Sequence, residues 1–72
     1  MYVARIEGER RVGVYRADTG SWVCTIHTSY PVVGVDVQGD QVAVRVRDSS
    51  GRERVDVYRV KVGSCSWIRT IG

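Results

Sequence analysis

The stretch RVDVYRVKVG, residues 54–63, nearly repeats the stretch RVGVYRADTG, residues 11–20. In both stretches valine alternates with other residues up to a Tyr-Arg pair, and glycine closes the stretch. Apolar residues at every second position are typical of a β-strand with one buried face. Glycine directly after such a run is typical of a turn. The repeat therefore predicts the same strand and turn twice.

The similarity extends on both sides of these ten residues. After two extra residues in the second copy, WVCTI (residues 22–26) recurs as WIRTI (residues 67–71). Upstream, YVARIEGERRVGVY resembles VAVRVRDSSGRERVDVY once the loop is lengthened. A period of about 43 to 45 residues with about four strands indicates a repeat architecture.

The composition favours strands throughout the chain. Among 72 residues there are fifteen valines and four isoleucines, but no leucine, phenylalanine or asparagine. Branched side chains pack well on a pleated sheet and lose rotamer freedom in a helix. We therefore predict an all-β fold in one domain, residues 1–72, with a small core.

Seven strands are predicted from the alternation of apolar and polar residues and from the turn residues between the alternating segments. They span residues 2–7, 11–17, 21–27, 32–37, 42–47, 54–60 and 65–71. No connector is long enough for a crossover helix, so neighbouring strands should pair antiparallel.

The segment VYRADTGSWVCTI, residues 14–26, resembles the third and fourth strands of a β-propeller blade of the WD-repeat-like and quinoprotein-like kind. The resemblance implies an incomplete three-strand blade in residues 1–27 and a complete four-strand blade in residues 32–71, about 1.75 blades. The WD and GH signatures are missing, because arginine and HTSYP stand in their places. A small β-sandwich or barrel is the alternative fold.

A propeller ring closes with four to eight blades. The resemblance therefore implies a homo-oligomer, with a trimer of six sheets favoured, whose role is binding or assembly rather than catalysis. A compact monomer of two sheets remains the alternative. The candidate interface residues are apolar or aromatic and lie in the predicted strands: Tyr2, Val3, Trp22, Trp67, Ile68 and Ile71.

Enzyme chemistry has little support in the sequence. The single histidine, His27, lies three residues from Cys24, which places the two on opposite faces of a strand. A zinc site needs four ligands, and Cys65 adds only one more. We expect no catalytic, cofactor or metal site, and we interpret both cysteines as small apolar fillers or surface thiols.

Two binding functions compete with self-assembly. With a net charge of +3, arginines on one strand face could contact the phosphates of nucleic acid, although interleaved carboxylates favour cross-strand charge pairs. The chain also resembles two-blade lectins, which implies sugar binding by repeated tryptophan and arginine. The candidate nucleic-acid or ligand contacts are Arg16, Arg45, Arg47, Arg54 and Arg59.

The N-terminal residues MYVARIEGER carry charges throughout and lack the apolar region of a signal peptide. No apolar run approaches the roughly 20 residues that cross a membrane as a helix. We therefore expect a cytoplasmic protein with no membrane partner and with reduced cysteines.

Overall fold

The computed structural model describes residues 1–72 and consists of seven β-strands joined by turns. The strands are β1 (Tyr2–Gly8), β2 (Arg11–Arg16), β3 (Trp22–His27), β4 (Val32–Gln38), β5 (Gln41–Arg47), β6 (Glu53–Lys61) and β7 (Ser64–Ile71). The predicted all-β class and the seven strands are confirmed, since local alternation and turn residues determine both. No helix in the structure is long and apolar enough to span a membrane.

The strands form two separate antiparallel sheets. Sheet 1 has the order β1-β2-β3, and sheet 2 has the order β4-β5-β6-β7, so every strand pairs with its neighbour in sequence. The short turns explain this order, because they can join only adjacent antiparallel strands. No ladder joins the two sheets, and the barrel alternative is therefore wrong.

The core lies between the two sheets and consists mainly of valine. Val12 and Val14 of β2 are fully buried, as are Val42 and Val44 of β5. The core cluster is completed by smaller contributions from β3, β5 and β6: Val23, Cys24, Ile26, Val46 and Val60. Each fully buried valine stabilises the fold by roughly 1.5 to 3 kcal/mol. Only one face of each sheet contributes to this core, so each sheet keeps one open face.

The repeated glycines hold the turns after β2 and β6. Gly20 has a φ of 77° and Gly63 a φ of 80°. Side chains disfavour this left-handed region, whereas glycine adopts it freely. The recurrence of glycine at this place in both copies therefore reflects the same turn geometry.

A disulfide joins the two sheets across the core. The Cα atoms of Cys24 in β3 and Cys65 in β7 are 5.9 Å apart, and the sulfurs are bonded. The expectation of two separate thiols is therefore wrong. The sequence could not reveal the pair, because the cysteines are 41 positions apart and only sheet packing brings them together. Cys65 lies in the two-residue insertion of the second copy, so the repeat supplied no counterpart.

Candidate functional site

The sequence repeat is also a repeat of hairpin geometry. Tyr15 lies opposite Trp22 in the β2–β3 ladder, and Tyr58 lies opposite Trp67 in the β6–β7 ladder. In both ladders the register shifts between the tyrosine and the valine before it. A β-bulge at this position places two residues of one strand opposite one residue of the other. The two copies therefore share the bulge as well as the residues.

The bulge places each tryptophan beside a threonine on the same strand. Trp22 Nε1 donates to Thr25 Oγ1 at 2.9 Å, and Trp67 Nε1 donates to Thr70 Oγ1 at 3.2 Å. The repeated W-x-x-T spacing is the sequence signal of this contact. Both indoles are therefore held in one orientation, while each remains 58% exposed.

We define the front face of each sheet as the face that carries the Tyr–Trp pair, and the back face as its opposite. In sheet 1 the residue next to Tyr15, Val14, lies on the back face and is fully buried. In sheet 2, Val42 lies opposite Tyr58 on the front face and is also fully buried. The back of sheet 1 therefore packs on the front of sheet 2. The two copies stack in the same orientation, not as mirror-related partners.

The front face of sheet 1 is open to solvent. Val3, Tyr15 and Trp22 form one cross-strand row on it. The Tyr15 hydroxyl donates a hydrogen bond to the Glu7 carboxylate, and this bond raises the pKa of Tyr15 above its usual value. The Glu7 carboxylate occupies the space that a Cβ at Gly13 would need. Glycine at position 13 therefore permits this contact.

The back face of sheet 2 is the other open face. Its centre is apolar and half-buried by its own neighbours, and it consists of Ala43, Val55, Val57 and Ile68. At one end, Arg45 and Arg47 both approach Glu53, with N···O distances of 3.8 and 3.5 Å. The Arg45 guanidinium crosses over Gly34, where a side chain would collide with it. This face therefore combines an apolar centre with a charged rim.

The six candidate interface residues lie on different surfaces. Val3 and Trp22 share the front of sheet 1, while Ile68 and Ile71 share the back of sheet 2. Tyr2 packs against the core instead. Trp67 lies on the front of sheet 2, at a part that sheet 1 leaves uncovered. The structure thus brings these residues together in two pairs.

The five candidate arginines do not form one continuous stripe. Arg45 and Arg47 lie on the back of sheet 2, and Arg59 lies on the same face beside Gln41. Arg54 projects from the front face, where its Nε donates to Asp48 Oδ2 at 3.0 Å. Arg16 pairs with Asp18 at 3.2 Å beside the β2–β3 turn. Four of the five arginines therefore have a carboxylate partner.

Asp48 organises the loop between β5 and β6. Its carboxylate accepts hydrogen bonds from the backbone N–H and hydroxyl of Ser50, from the backbone N–H of Arg52 and from Arg54. These bonds lower the pKa of Asp48 to about 2, with the Ser50 hydroxyl as the largest cause. Only 8% of the residue is exposed, so it is a structural carboxylate.

The remaining titratable residues are dispersed. His27 is exposed at the end of β3, whereas Cys24 is buried and bonded to Cys65. No group of three or more histidine, cysteine or acidic side chains is placed to hold a metal ion. A groove of about 350 Å³ lies between residues 27–30 and the front of sheet 2.

Several residues of these surfaces were not predicted from the sequence. Glu7 and Asp56 look like ordinary charges of alternating strands, yet both lie beside an aromatic residue of the repeat. The repeated threonine was visible in the sequence and could have indicated the indole contacts. Glu7 had no such signal, because Tyr15 comes from the neighbouring strand. Asp56 and Tyr58 are two residues apart on β6, so the alternation alone places them on one face.

Comparison with known proteins identifies no family: no family model, no curated protein and no solved structure matches the chain. The internal repeat and the stacking of the two sheets therefore carry the functional argument. Two antiparallel sheets stacked in one orientation are compatible with a blade-like arrangement.

Proposed function

We propose that the chain is a non-enzymatic assembly protein whose copies associate head to tail like successive propeller blades. The front face of sheet 1 in one copy would pack on the back face of sheet 2 in the next. A trimer of this kind would have six sheets, which lies within the range of closed propellers.

The observation that carries this proposal is the identical orientation of the two sheets. Within one chain, the back of sheet 1 already packs on the front of sheet 2. The open front of sheet 1 is the repeat counterpart of that covered front face. Likewise, the open back of sheet 2 is the counterpart of the covered back of sheet 1. The two open faces therefore belong to the same kind of contact that the chain already makes.

The residues at equivalent positions support this inference. The open row Val3, Tyr15 and Trp22 corresponds to Val42, Tyr58 and Trp67, of which Val42 is fully buried. On the other face, half-buried Val57 corresponds to the fully buried Val14. A contact between two different faces is heterologous, and it forms a closed ring when the rotation between copies closes.

The test is the mass of the native protein across a dilution series, measured by light scattering after gel filtration. A trimer has a mass of about 24 kDa, three times the 8.1 kDa of the chain. We expect Val57→Asp to lower this mass, because the change places a charge in the proposed contact. Ala17→Asp, in the exposed β2–β3 turn, is the matched control and should leave the mass unchanged.

A folded protein of 8 kDa at every concentration would overturn the proposal. If that monomer also binds nucleic acid at low salt and releases it as salt rises, the arginine-bearing back face is a nucleic-acid surface instead. If Ala17→Asp lowers the mass as much as Val57→Asp, the assembly uses other surfaces than the two open faces.

A further inference from the structure

The groove between residues 27–30 and the front of sheet 2 is built differently from the open faces. We call it the connector groove, because one wall is the segment that connects the two sheets. Its volume of about 350 Å³ lies in the range of small-molecule sites. It lies on a face that the chain itself already partly covers, so head-to-tail assembly would leave it accessible. An inference about this groove is therefore independent of the proposed assembly.

Three aromatic side chains line the connector groove: Tyr30, Tyr58 and Trp67. Trp67 is 58% exposed, and its indole N–H is already used by Thr70. The indole face, rather than its polar edge, is thus available to a ligand. Aromatic faces carry negative charge density and attract cations that are weakly hydrated.

A carboxylate lies beside these aromatic rings. Asp56 Oδ1 accepts a hydrogen bond from the Thr70 hydroxyl at 2.7 Å, and no cationic side chain lies within 4.0 Å of the carboxylate. Burial, and then the nearby charge of Asp56, raises the pKa of Tyr58. The Asp56 carboxylate therefore has free acceptor positions in the groove and no ion-pair partner.

The other charged groups of the groove do not cancel this charge. Arg54 lines the groove, but its guanidinium is paired with Asp48 at 3.0 Å. His27 lies at the end of β3, where it is exposed. The groove thus combines aromatic faces with one uncompensated carboxylate.

The first copy of the repeat lacks this combination. Gly13 pairs with Thr25 where Asp56 pairs with Thr70, so β2 itself supplies no carboxylate beside Thr25. The carboxylate near Tyr15 belongs to Glu7, and the Tyr15 hydroxyl already donates a hydrogen bond to it. The arrangement is therefore specific to the second copy and does not follow from the repeat.

We propose that the connector groove binds a small organic cation with a methylated ammonium group. Methyl groups on nitrogen spread the positive charge and can pack against Tyr58 and Trp67. The ammonium charge would be balanced by Asp56. A neutral molecule of the same shape would keep the packing but lose the attraction to the rings and to the carboxylate.

Choline is the probe, and its neutral isostere 3,3-dimethylbutan-1-ol is the control ligand. The two tryptophans give two indole N–H signals in a ¹H–¹⁵N spectrum, so Trp22 is an internal control for Trp67. We expect choline to shift the Trp67 signal and to leave the Trp22 signal in place. The isostere should bind at least about tenfold more weakly, which corresponds to a cation–π and charge contribution of about 1.4 kcal/mol or more.

Asp56→Asn should weaken choline binding about tenfold, whereas Asp18→Asn, an exposed carboxylate outside the groove, should not change it. Trp67→Ala should abolish binding, and Trp22→Ala should preserve it.

Equal affinity for choline and the isostere, an unshifted Trp67 signal at the highest choline concentration, or an unaffected Asp56→Asn variant would overturn the proposal. So would a methyl glycoside that shifts Trp67 where choline does not, since the groove would then be a sugar site.

Discussion

The two hairpin copies share their residues and their bulge, yet they occupy opposite environments. The front face of sheet 1 is exposed, whereas the front face of sheet 2 packs on sheet 1 through Val42 and Val60 and stays uncovered at Trp67. The back face of the first copy is buried against sheet 2, whereas the back face of the second copy is open. The difference teaches that one sequence pattern can serve as an outer face or as a core face, and the stacking of the sheets decides which.

The largest expected effect separates the two back faces. Val14 is fully buried and Val57, its counterpart, is half-buried. We expect Val14→Asp to destabilise the fold by about 5 kcal/mol, since it buries an unpaired charge. For a chain of this size that is comparable with the total stability.

At a protein concentration low enough for the chain to be monomeric, Val57→Asp should keep the native circular dichroism spectrum and a cooperative urea transition, because Val57 then lies on an open face. Circular dichroism in urea measures both variants under identical conditions. Equal destabilisation of the two variants would remove the distinction between the covered and the open back face.

The next effect concerns the bond between the copies. Cys24 and Cys65 are 41 positions apart in the sequence. Because the disulfide closes a loop of that length in the unfolded chain, chain entropy predicts that it stabilises the fold by about 4 kcal/mol. Urea unfolding with and without a reductant should show this loss, and Cys24→Ser with Cys65→Ser should reproduce it. In the cytoplasm such bonds are normally reduced, so a cytoplasmic location implies the less stable form. Identical midpoints with and without reductant would show that sheet packing alone holds the copies together.

A smaller, pH-dependent effect distinguishes the loops before the two hairpins. The β5–β6 loop contains Asp48, whereas the corresponding β1–β2 turn has only two residues, Glu9 and Arg10. Because folding lowers the pKa of Asp48 from 3.8 to about 2, this carboxylate stabilises the fold above about pH 4. That contribution is lost as the pH falls from about 4 to about 2.

Asp48→Asn should flatten the acid side of a stability profile measured by urea unfolding between pH 2 and about 6. Asp18→Asn in the first copy is the control. The pKa of Asp18 is also lowered, but Asp18 is exposed. An unchanged acid profile in Asp48→Asn would show that other carboxylates control acid unfolding.

The smallest effect compares the two tyrosines. Glu7 raises the pKa of Tyr15 mainly through a direct hydrogen bond, whereas burial is the main cause for Tyr58. Glu7→Gln should therefore lower the pKa of Tyr15 more than Asp56→Asn lowers that of Tyr58. Ultraviolet titration of tyrosinate, with Tyr15→Phe and Tyr58→Phe to assign the signals, measures both. A larger shift from Asp56→Asn would reverse this assignment.

The strands and turns were predictable because their signals are local. Alternating valines around Tyr58 and the glycine at position 63 determine a strand and a turn without help from distant residues. The candidate surfaces were predictable only in part. Val3 and Trp22 lie on one surface because both align with Tyr15 in one cross-strand row. Trp67 lies on a different surface, and the sequence alone did not distinguish that surface from theirs.

The sequence by itself determined the all-β class, the seven strands, the antiparallel order and the repeated hairpin, because alternation, short turns and glycine positions act over a few residues. Only the tertiary structure decided that the back of sheet 1 packs on the front of sheet 2. It also brought Cys24 to Cys65 and formed the connector groove. These features depend on how two sheets meet across the segment of residues 28–31, and interactions between distant strands determine that packing.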